Sequence, residues 1–163
     1  MYELGPPAKM TYVKTRLATM AVFAALAAWA MGASAQGQPQ PRLPTITLGA
    51  GMHLIQAEVA ATLPQQMTGM MFRRQMGSNE GMLFVYDEPA PRCFWMRNTY
   101  VPLTIAFVAD DGRIVNLADM QPLNDASHCS AEPVRFALEM NQGWFAKRGI
   151  KPGFKLRGRP FGN

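Results

Sequence analysis

The chain has 163 residues and carries 16 lysines and arginines against 11 aspartates and glutamates, so its formal net charge is +5. Hydrophobic residues make up 48% of the sequence, which is enough for a folded domain and too many for a disordered chain. The basic residues are scattered and acidic residues stand between them. This argues against a nucleic-acid partner, because nucleic-acid-binding surfaces cluster positive charge beside stacking aromatic residues.

Residues 1–35 have the three parts of a secretion signal. Lys9, Lys14 and Arg16 form a basic stretch, an uncharged apolar run follows over residues 17–32, and the small residues Ala33-Ser34-Ala35 end it. This order is typical of a signal peptide that is cleaved after the A-x-A triplet. A retained membrane anchor is the alternative, but the run of 16 residues is just under the roughly 17–25 needed to span a bilayer. We expect cleavage near Ala35, a periplasmic location and no stable membrane span afterwards.

The mature chain is expected to consist of a short leader and a single domain. Residues 36–44, QGQPQPRLP, contain almost no apolar side chains, which is typical of a flexible leader. Residues 45–160 form the folded domain. Because residues 1–35 hold three basic residues and one acidic residue, a net charge of +2, the mature chain carries 5 − 2 = +3.

The domain is predicted to contain short strands separated by turns. Two strands surround a turn at residues 49–51, and the alternation of apolar residues over 53–59 fits a half-buried strand. Thr62 is a candidate N-cap for a short helix over residues 64–72. Further predicted elements are strands over 82–86, 93–98, 103–109, 113–120 and 134–140, one helical turn over 144–148 ended by Gly149, and a last strand over 154–158.

This order of elements predicts the fold class. The chain has no alternation of strands with long helices, so a parallel α/β sheet is excluded. Seven or eight short strands instead predict a mainly β (α+β) domain, built as a small antiparallel β-barrel or rolled sheet with one or two short helices.

Two cysteines, Cys93 and Cys129, fall in the part of the chain that is expected to be exported. An even number of cysteines in an oxidising compartment favours a disulfide. The alternatives are a redox dithiol, or a metal site in which His128 joins the two sulfurs, but the sequence has no C-x-x-C spacing. We therefore predict a disulfide, no metal site and no cofactor.

Several motifs of the domain resemble those of one family. They are G-M-M-F-R at residues 69–73, G-M-L-F at 81–84 and W-M-R-N-T at 95–99, followed by Glu139, Gly143, Gly149 and Gly153. In this combination, the segment from about residue 45 to residue 157 closely resembles the DUF192 family, whose function is unknown. The resemblance implies a small β-barrel-like domain that is often exported in bacteria. One position departs from the family, because Thr104 stands where members commonly have an aspartate. A mechanism that needs that carboxylate is therefore in doubt for this chain.

Polar residues inside the apolar motifs are the candidate site residues. Arg97, Asn98 and Thr99 end a predicted strand with a guanidinium, an amide and a hydroxyl, a set of donors that suits a carboxylate, a phosphate or a sugar. The alternative is that Asn98 and Thr99 only satisfy backbone groups in a tight turn. Arg73 and Glu139 each stand alone among apolar neighbours, and we predict that they form a partly buried ion pair between the helix and the sheet.

Three functions remain open from the sequence. The leading one is a non-enzymatic envelope module that binds a small polar or anionic ligand, or a partner protein of the envelope, through residues 97–99. The second is a hydrolase or transferase acting on envelope carbohydrate or peptide, although the chain has no H-E-x-x-H or G-x-S-x-G motif. The third is copper handling by the methionines with Cys93, Cys129 and His128, since thioethers are soft ligands. Packing in the core is the alternative use of the methionines.

Overall fold

The computed structural model describes residues 37–161, so the predicted secretion signal and its cleavage site lie outside the described residues. The described part contains strands β1 (Thr45–Ala50), β2 (His53–Ala60), β3 (Glu80–Ala90), β4 (Cys93–Phe94), β5 (Leu103–Val108), β6 (Ile114–Met120), β7 (His128–Cys129) and β8 (Val134–Asn141), helix α1 (Leu63–Thr68) and a 3-10 turn (Ala146–Arg148). The prediction of a mainly β domain with one or two short helical elements is confirmed. No helix within residues 37–161 is long and apolar enough to cross a bilayer.

Six strands form one sheet in the order β1-β2-β3-β8-β5-β6, and β4 pairs with β7 in a separate ribbon. The neighbours in the large sheet are antiparallel except for β2 and β3, which run parallel. Residues 61–79, which include α1, make the crossover that a parallel pair requires. The predicted antiparallel arrangement is therefore correct for the large sheet apart from this pair.

The large sheet is not closed into a barrel, because its edge strands β1 and β6 do not pair with each other. The predicted last strand, residues 154–158, instead makes two single bridges, Gly49 with Arg157 and Arg113 with Lys155. Gly49 and Arg157 exchange both of their backbone hydrogen bonds at 2.9 Å. The C-terminal segment thus bonds beside both edge strands, and the large sheet itself stays open.

The two faces of the sheet carry separate apolar clusters, because successive residues of a strand point to opposite faces. The first cluster includes Leu83, Leu138, Trp144, Phe145 and Leu156. The second includes Met70, Met82, Phe84, Met96 and Ala137. Glu139 stands two residues after Ala137 in β8, so it faces the second cluster, and this orientation positions the site described below.

Helix α1 begins as predicted but ends at Thr68 rather than near residue 72. Thr62 is its N-cap, and the side-chain oxygen of Gln65 accepts the backbone N–H of Thr62 at 3.0 Å. The helix stops at Gly69, where the backbone adopts a φ of 48°. A Cβ at this position would lie 3.1 Å from the ring of Phe84, so only glycine lets the chain turn this close to β3.

Cys93 and Cys129 are joined by a disulfide, as predicted. The two residues lie directly opposite each other in the β4–β7 ribbon. Strand β4 ends at Phe94 rather than at residue 98, because the backbone N–H of Thr99 donates to the Met96 carbonyl at 3.0 Å and closes a turn. The predicted strand over 93–98 is therefore a two-residue strand followed by a turn.

Residues 37–44 form no helix or strand, but they lie against the domain. The side-chain amide of Gln40 donates to the Gly69 carbonyl at 2.9 Å, and the backbone N–H of Leu43 donates to the carboxylate of Glu58 at 2.8 Å. The expectation of a flexible leader rested on the low number of apolar side chains. Polar contacts, which that criterion does not count, attach this segment to the domain.

Candidate functional site

In the structure, Arg97, Asn98 and Thr99 lie in three different environments. Arg97 is exposed, binds the carboxylate of Asp125 through Nε at 3.0 Å and Nη2 at 3.2 Å, and stacks over the ring of Trp95. Asn98 has a φ of 60° and forms part of the turn that ends at Thr99. Thr99 is buried. The tight turn that was the alternative explanation is present, and binding of a ligand by these three residues stays a prediction.

Arg73 pairs with Glu58 and not with Glu139, so the predicted ion pair is wrong. Its Nη1 and Nη2 atoms lie 2.5 and 2.7 Å from the two carboxylate oxygens of Glu58, and both side chains are buried. Glu58 and Glu139 both stand opposite Met82, in the strands on either side of β3. At about 4.8 Å per strand they are roughly 10 Å apart on the same face. The sequence thus offers Arg73 two acidic partners, and only the pairing of the strands decides between them.

The two glutamates differ in ionisation as a result. Burial alone would raise the pKa of Glu58, but hydrogen bonds from Arg73, from the Leu43 N–H and from Arg42 lower it to about 2. Glu139 is wholly buried without such donors, and burial raises its pKa to about 8. Glu58 is therefore held ionised at neutral pH, whereas burial disfavours the charged form of Glu139 as long as no cation or donor lies beside it.

Glu139 and Thr99, two of the predicted site residues, line the same small cavity. We call it the methionine pocket; its volume is about 50 Å³, and its walls include Met67, Met70, Met71, Phe84, Phe94 and Trp95. The Oε2 atom of Glu139 is buried and has no hydrogen-bond partner among the described residues. Buried polar atoms in native proteins are nearly always paired, so this oxygen requires an explanation.

A second, larger cavity lies beside the first. We call it the arginine groove; its volume is about 500 Å³, and it is lined by residues 37–40, Arg42, residues 72–75 and Tyr100. Arg42 and Arg73 are both held by the carboxylate of Glu58. Arg74 is exposed and lies over the ring of Tyr100 at 5.1 Å, without a carboxylate partner in the part of the chain that the structure describes.

One backbone hydrogen bond joins the two chain segments that line both cavities. The N–H of Phe72 donates to the carbonyl of Asn98 at 2.7 Å. Both residues have positive φ angles, 64° for Phe72 and 60° for Asn98. A bulky residue such as phenylalanine rarely adopts this conformation, and strained backbone clusters at ligand-binding and catalytic sites. The strain therefore marks this region as the candidate functional site.

The metal site considered from the sequence is not formed. Cys93 and Cys129 are both used in the disulfide, so neither offers a thiolate. His128 lies opposite Phe94 in the ribbon. Within residues 37–161, no group of three or more histidines, cysteines, aspartates or glutamates is arranged to hold a metal ion.

Comparison with known proteins agrees with the motifs and the fold. The family model for DUF192, described as Uncharacterized ACR, matches residues 45–158. The chain belongs to the DUF192 family. A solved structure from Sinorhizobium meliloti 1021, described as a candidate transcription regulator, is 35% identical, with 73% of this chain and 97% of that chain covered and a TM-score of 0.69. A protein of unknown function from Novosphingobium aromaticivorans DSM 12444 is 37% identical, with 74% and 90% covered and a TM-score of 0.69. No curated protein matches the chain.

The departure of this chain from the DUF192 pattern at Thr104 is accompanied by a carboxylate nearby. Thr104 is buried in β5 and lies directly opposite Asp119 of β6. Its hydroxyl donates to Asp119 at 2.5 Å and accepts the backbone N–H of Gly143 at 3.0 Å. The two residues line a third cavity of about 410 Å³, together with apolar residues such as Ile150. The loss of the family's aspartate therefore does not leave this cavity without a negative charge.

Glu58, Arg74 and Asp119 are among the residues of these sites that the sequence analysis did not identify. Glu58 carried no signal, because the alternation over residues 53–59 predicts that residue 58 lies on the outer face of the strand, whereas the structure buries it. Arg74 follows Arg73 directly, and nothing in the sequence indicates that it is the arginine left without a carboxylate partner among the described residues. Asp119 becomes relevant only through the cross-strand register that sets it against Thr104.

Proposed function

We propose that this DUF192 domain acts outside the cytoplasm as a non-enzymatic module that binds a small anionic ligand in the arginine groove. The observation that carries the proposal is Arg74, an arginine without a carboxylate partner among residues 37–161, in a groove of about 500 Å³. This volume is within the range of small-molecule sites. A guanidinium presents planar pairs of donors that match a carboxylate or a phosphate.

The remainder of the groove supports the same ligand class. Glu58 holds Arg42 and Arg73 in place, so these two side chains need little ordering when a ligand enters. Gln38 and Gln75 also line the groove and offer amide donors. Arg74 is thereby left as the residue whose charge a ligand would balance.

The test measures binding of two probes, inorganic phosphate and succinate, by isothermal titration calorimetry of the purified protein at low ionic strength. We expect one of them to bind and Arg74→Gln to weaken that binding about tenfold or more, the effect of losing a charged hydrogen bond. Arg159→Gln is the matched control, because Arg159 is exposed and lies outside the groove. This substitution removes the same charge as Arg74→Gln. Equal weakening by both variants, or no binding of either probe, would contradict the proposal.

Export rests on the predicted signal at residues 1–35, and the disulfide is consistent with it, because disulfides persist in oxidising compartments. The test is the intact mass of the protein recovered from the periplasmic fraction. A chain that begins at Gln36 and lacks two hydrogens supports export and cleavage. A full-length chain found with the membrane would support a retained anchor instead.

The role described for the Sinorhizobium meliloti relative is not extended to this chain. Arg97, Arg113 and Arg135 each lie within 4.0 Å of a carboxylate oxygen. Paired arginines contribute little to binding of a phosphate backbone, which depends on unpaired positive charge. These three arginines are therefore poor candidates for contacts to DNA, and the ligand that we propose is a small anion.

A further inference from the structure

The methionine pocket has a size and a composition that suit an ion rather than an organic molecule. Its volume of about 50 Å³ admits an ion and a few water molecules, far less than the roughly 300–1,000 Å³ of small-molecule sites. Three of its residues are methionines, Met67, Met70 and Met71. The oxygen-bearing side chains of Glu139 and Thr99 are also part of its lining.

Core packing does not account for all three methionines. Met70 is buried and packs in the second apolar cluster, as methionine commonly does. Met67, on helix α1, has 69% of its surface exposed, and Trp95 in the same pocket lining is 51% exposed. Their large apolar side chains thus lie at the surface next to the pocket. If these side chains served only to pack the core, they would be buried.

Glu139 supplies the second, independent observation. Only 4% of its surface is exposed, and its Oε2 atom has no hydrogen-bond partner in the described part of the chain. Arg73, the predicted partner of Glu139, forms its ion pair with Glu58 instead. A buried carboxyl group without a partner is costly unless a cation or a donor satisfies it. A bound cation would provide that partner.

The lining residues select the kind of cation. Hard ions such as Ca²⁺ and Mg²⁺ need six or more oxygen ligands, which this pocket does not offer. Thioethers are soft ligands that favour Cu(I). The cysteine sulfurs are used in the disulfide, so thioethers are the soft ligands left in residues 37–161. One carboxylate balances one positive charge, whereas a divalent ion would leave an unpaired charge in an apolar site.

We propose that the methionine pocket binds one soft monovalent metal ion of the Cu(I) class, with methionine thioethers as ligands and the carboxylate of Glu139 as its counter-charge. The site is separate from the arginine groove, and it uses neither Cys93, Cys129 nor His128. It therefore keeps the methionines of the copper hypothesis drawn from the sequence and none of its cysteine or histidine ligands.

The experiment uses Ag(I) as the probe, because Ag(I) has the charge and softness of Cu(I) and needs no reductant that would break the disulfide. Native mass spectrometry in chloride-free buffer counts the bound ions, and competition with a thioether chelator gives the affinity. We expect one Ag(I) per chain. Met67→Leu, Met71→Leu and Glu139→Gln should each weaken binding about tenfold or more, as changes around metal sites do.

Met52→Leu is the matched control, because Met52 is 89% exposed and lies outside the pocket. This variant should bind Ag(I) with the affinity of the unchanged protein to within about twofold. Met67 is itself exposed, so Met67→Leu is expected to fold and keeps the test decisive if a buried variant does not fold. Absence of a bound ion, or binding that survives both methionine substitutions in the pocket, would overturn the proposal, as would equal weakening in Met52→Leu.

Discussion

The ion pair between Arg73 and Glu58 combines two buried charges with two hydrogen bonds. Burying both charges removes their hydration, and their mutual attraction offsets this cost only while both partners are present. The pair also attaches the chain after α1 to strand β2. Removing one partner should therefore lower the stability far more than removing both.

We expect Arg73→Met to lower the free energy of unfolding by about 3–5 kcal/mol, because it leaves the charge of Glu58 buried and less well paired. The double variant Arg73→Met with Glu58→Leu should recover most of this loss. Urea denaturation at pH 7 measures both effects. Arg113→Met is the control, since its ion pair with Glu132 is exposed and contributes at most about 1 kcal/mol. Similar losses in Arg73→Met and Arg113→Met would contradict the expectation.

Thr104 and Asp119 depend on each other in a different way, because one hydroxyl proton joins them. We expect Thr104→Asp, which introduces the aspartate common in the family, to destabilise this chain by about 1–3 kcal/mol at pH 7. The new carboxylate would lie opposite Asp119 in the neighbouring strand, and like charges in that arrangement repel.

Adding Asp119→Asn to Thr104→Asp should restore the stability, because the amide can donate to the introduced carboxylate. Thermal unfolding of the two single variants and the double variant provides the comparison. If the double variant is no more stable than Thr104→Asp alone, the two positions are not coupled.

At this scale, the sequence indicated which side chains are unusual but not which of them meet. Arg73 and Glu139 stand out because apolar residues precede each of them, and both are buried in the structure. Their predicted pairing failed because Glu58 and Glu139 lie on either side of Met82, one strand apart from it in each direction. Strand order and register are long-range properties, and no local pattern around Arg73 encodes them.

At the scale of elements, the ribbon of β4 and β7 depends on its disulfide. Each strand has only two residues, and a pair of strands of this size is not stable on its own in water. The bridge between Cys93 and Cys129 closes a chain segment with a sequence separation of 36. It restricts the unfolded chain and also keeps Phe94, part of the lining of the methionine pocket, next to the sheet.

We expect the double variant Cys93→Ser with Cys129→Ser to have a free energy of unfolding that is lower by about 3–4 kcal/mol. The reason is that the unfolded chain regains the loop entropy that the disulfide removes. Reduction of the unchanged protein should have the same effect, since both cysteines are exposed to a reductant. Guanidinium denaturation of the oxidised, reduced and substituted forms measures this. A reduced protein as stable as the oxidised one would show that other contacts hold the ribbon.

The elements themselves were predicted well where the signal was local. Thr62 begins the helix, and Gly149 ends the 3-10 turn with a left-handed backbone, as the sequence indicated. Strand β4 and the last predicted strand were overestimated. The turn at residues 96–99 depends on the positive φ of Asn98, and residues 154–158 find only single bridges at the edge strands. The parallel pairing of β2 with β3 was also missed, because it depends on the path of the crossover.

At the scale of the whole molecule, Glu58 and Glu139 make stability depend on pH in opposite directions. Both have an ordinary pKa of 4.5, which folding lowers to about 2 for Glu58 and raises to about 8 for Glu139. Glu58 contributes stability above pH 4.5 that is lost as the pH falls toward 2. Glu139 contributes stability below pH 4.5 that is lost as the pH rises toward 8. The two together predict maximal stability near pH 4–5.

Urea denaturation between pH 2 and pH 9 tests this profile in the metal-free protein. Glu139→Gln should remove the decline between pH 5 and pH 8 and raise stability at pH 7, on the order of 2–4 kcal/mol, because the amide has no charge to bury. It should leave the loss of stability below pH 4.5 unchanged, since that loss belongs to Glu58. If the stability of Glu139→Gln falls between pH 5 and pH 8 in parallel with that of the unchanged protein, Glu139 is already ionised in the folded state. Its carboxylate would then have a partner at neutral pH, and its Oε2 atom would no longer support a cation site in the methionine pocket.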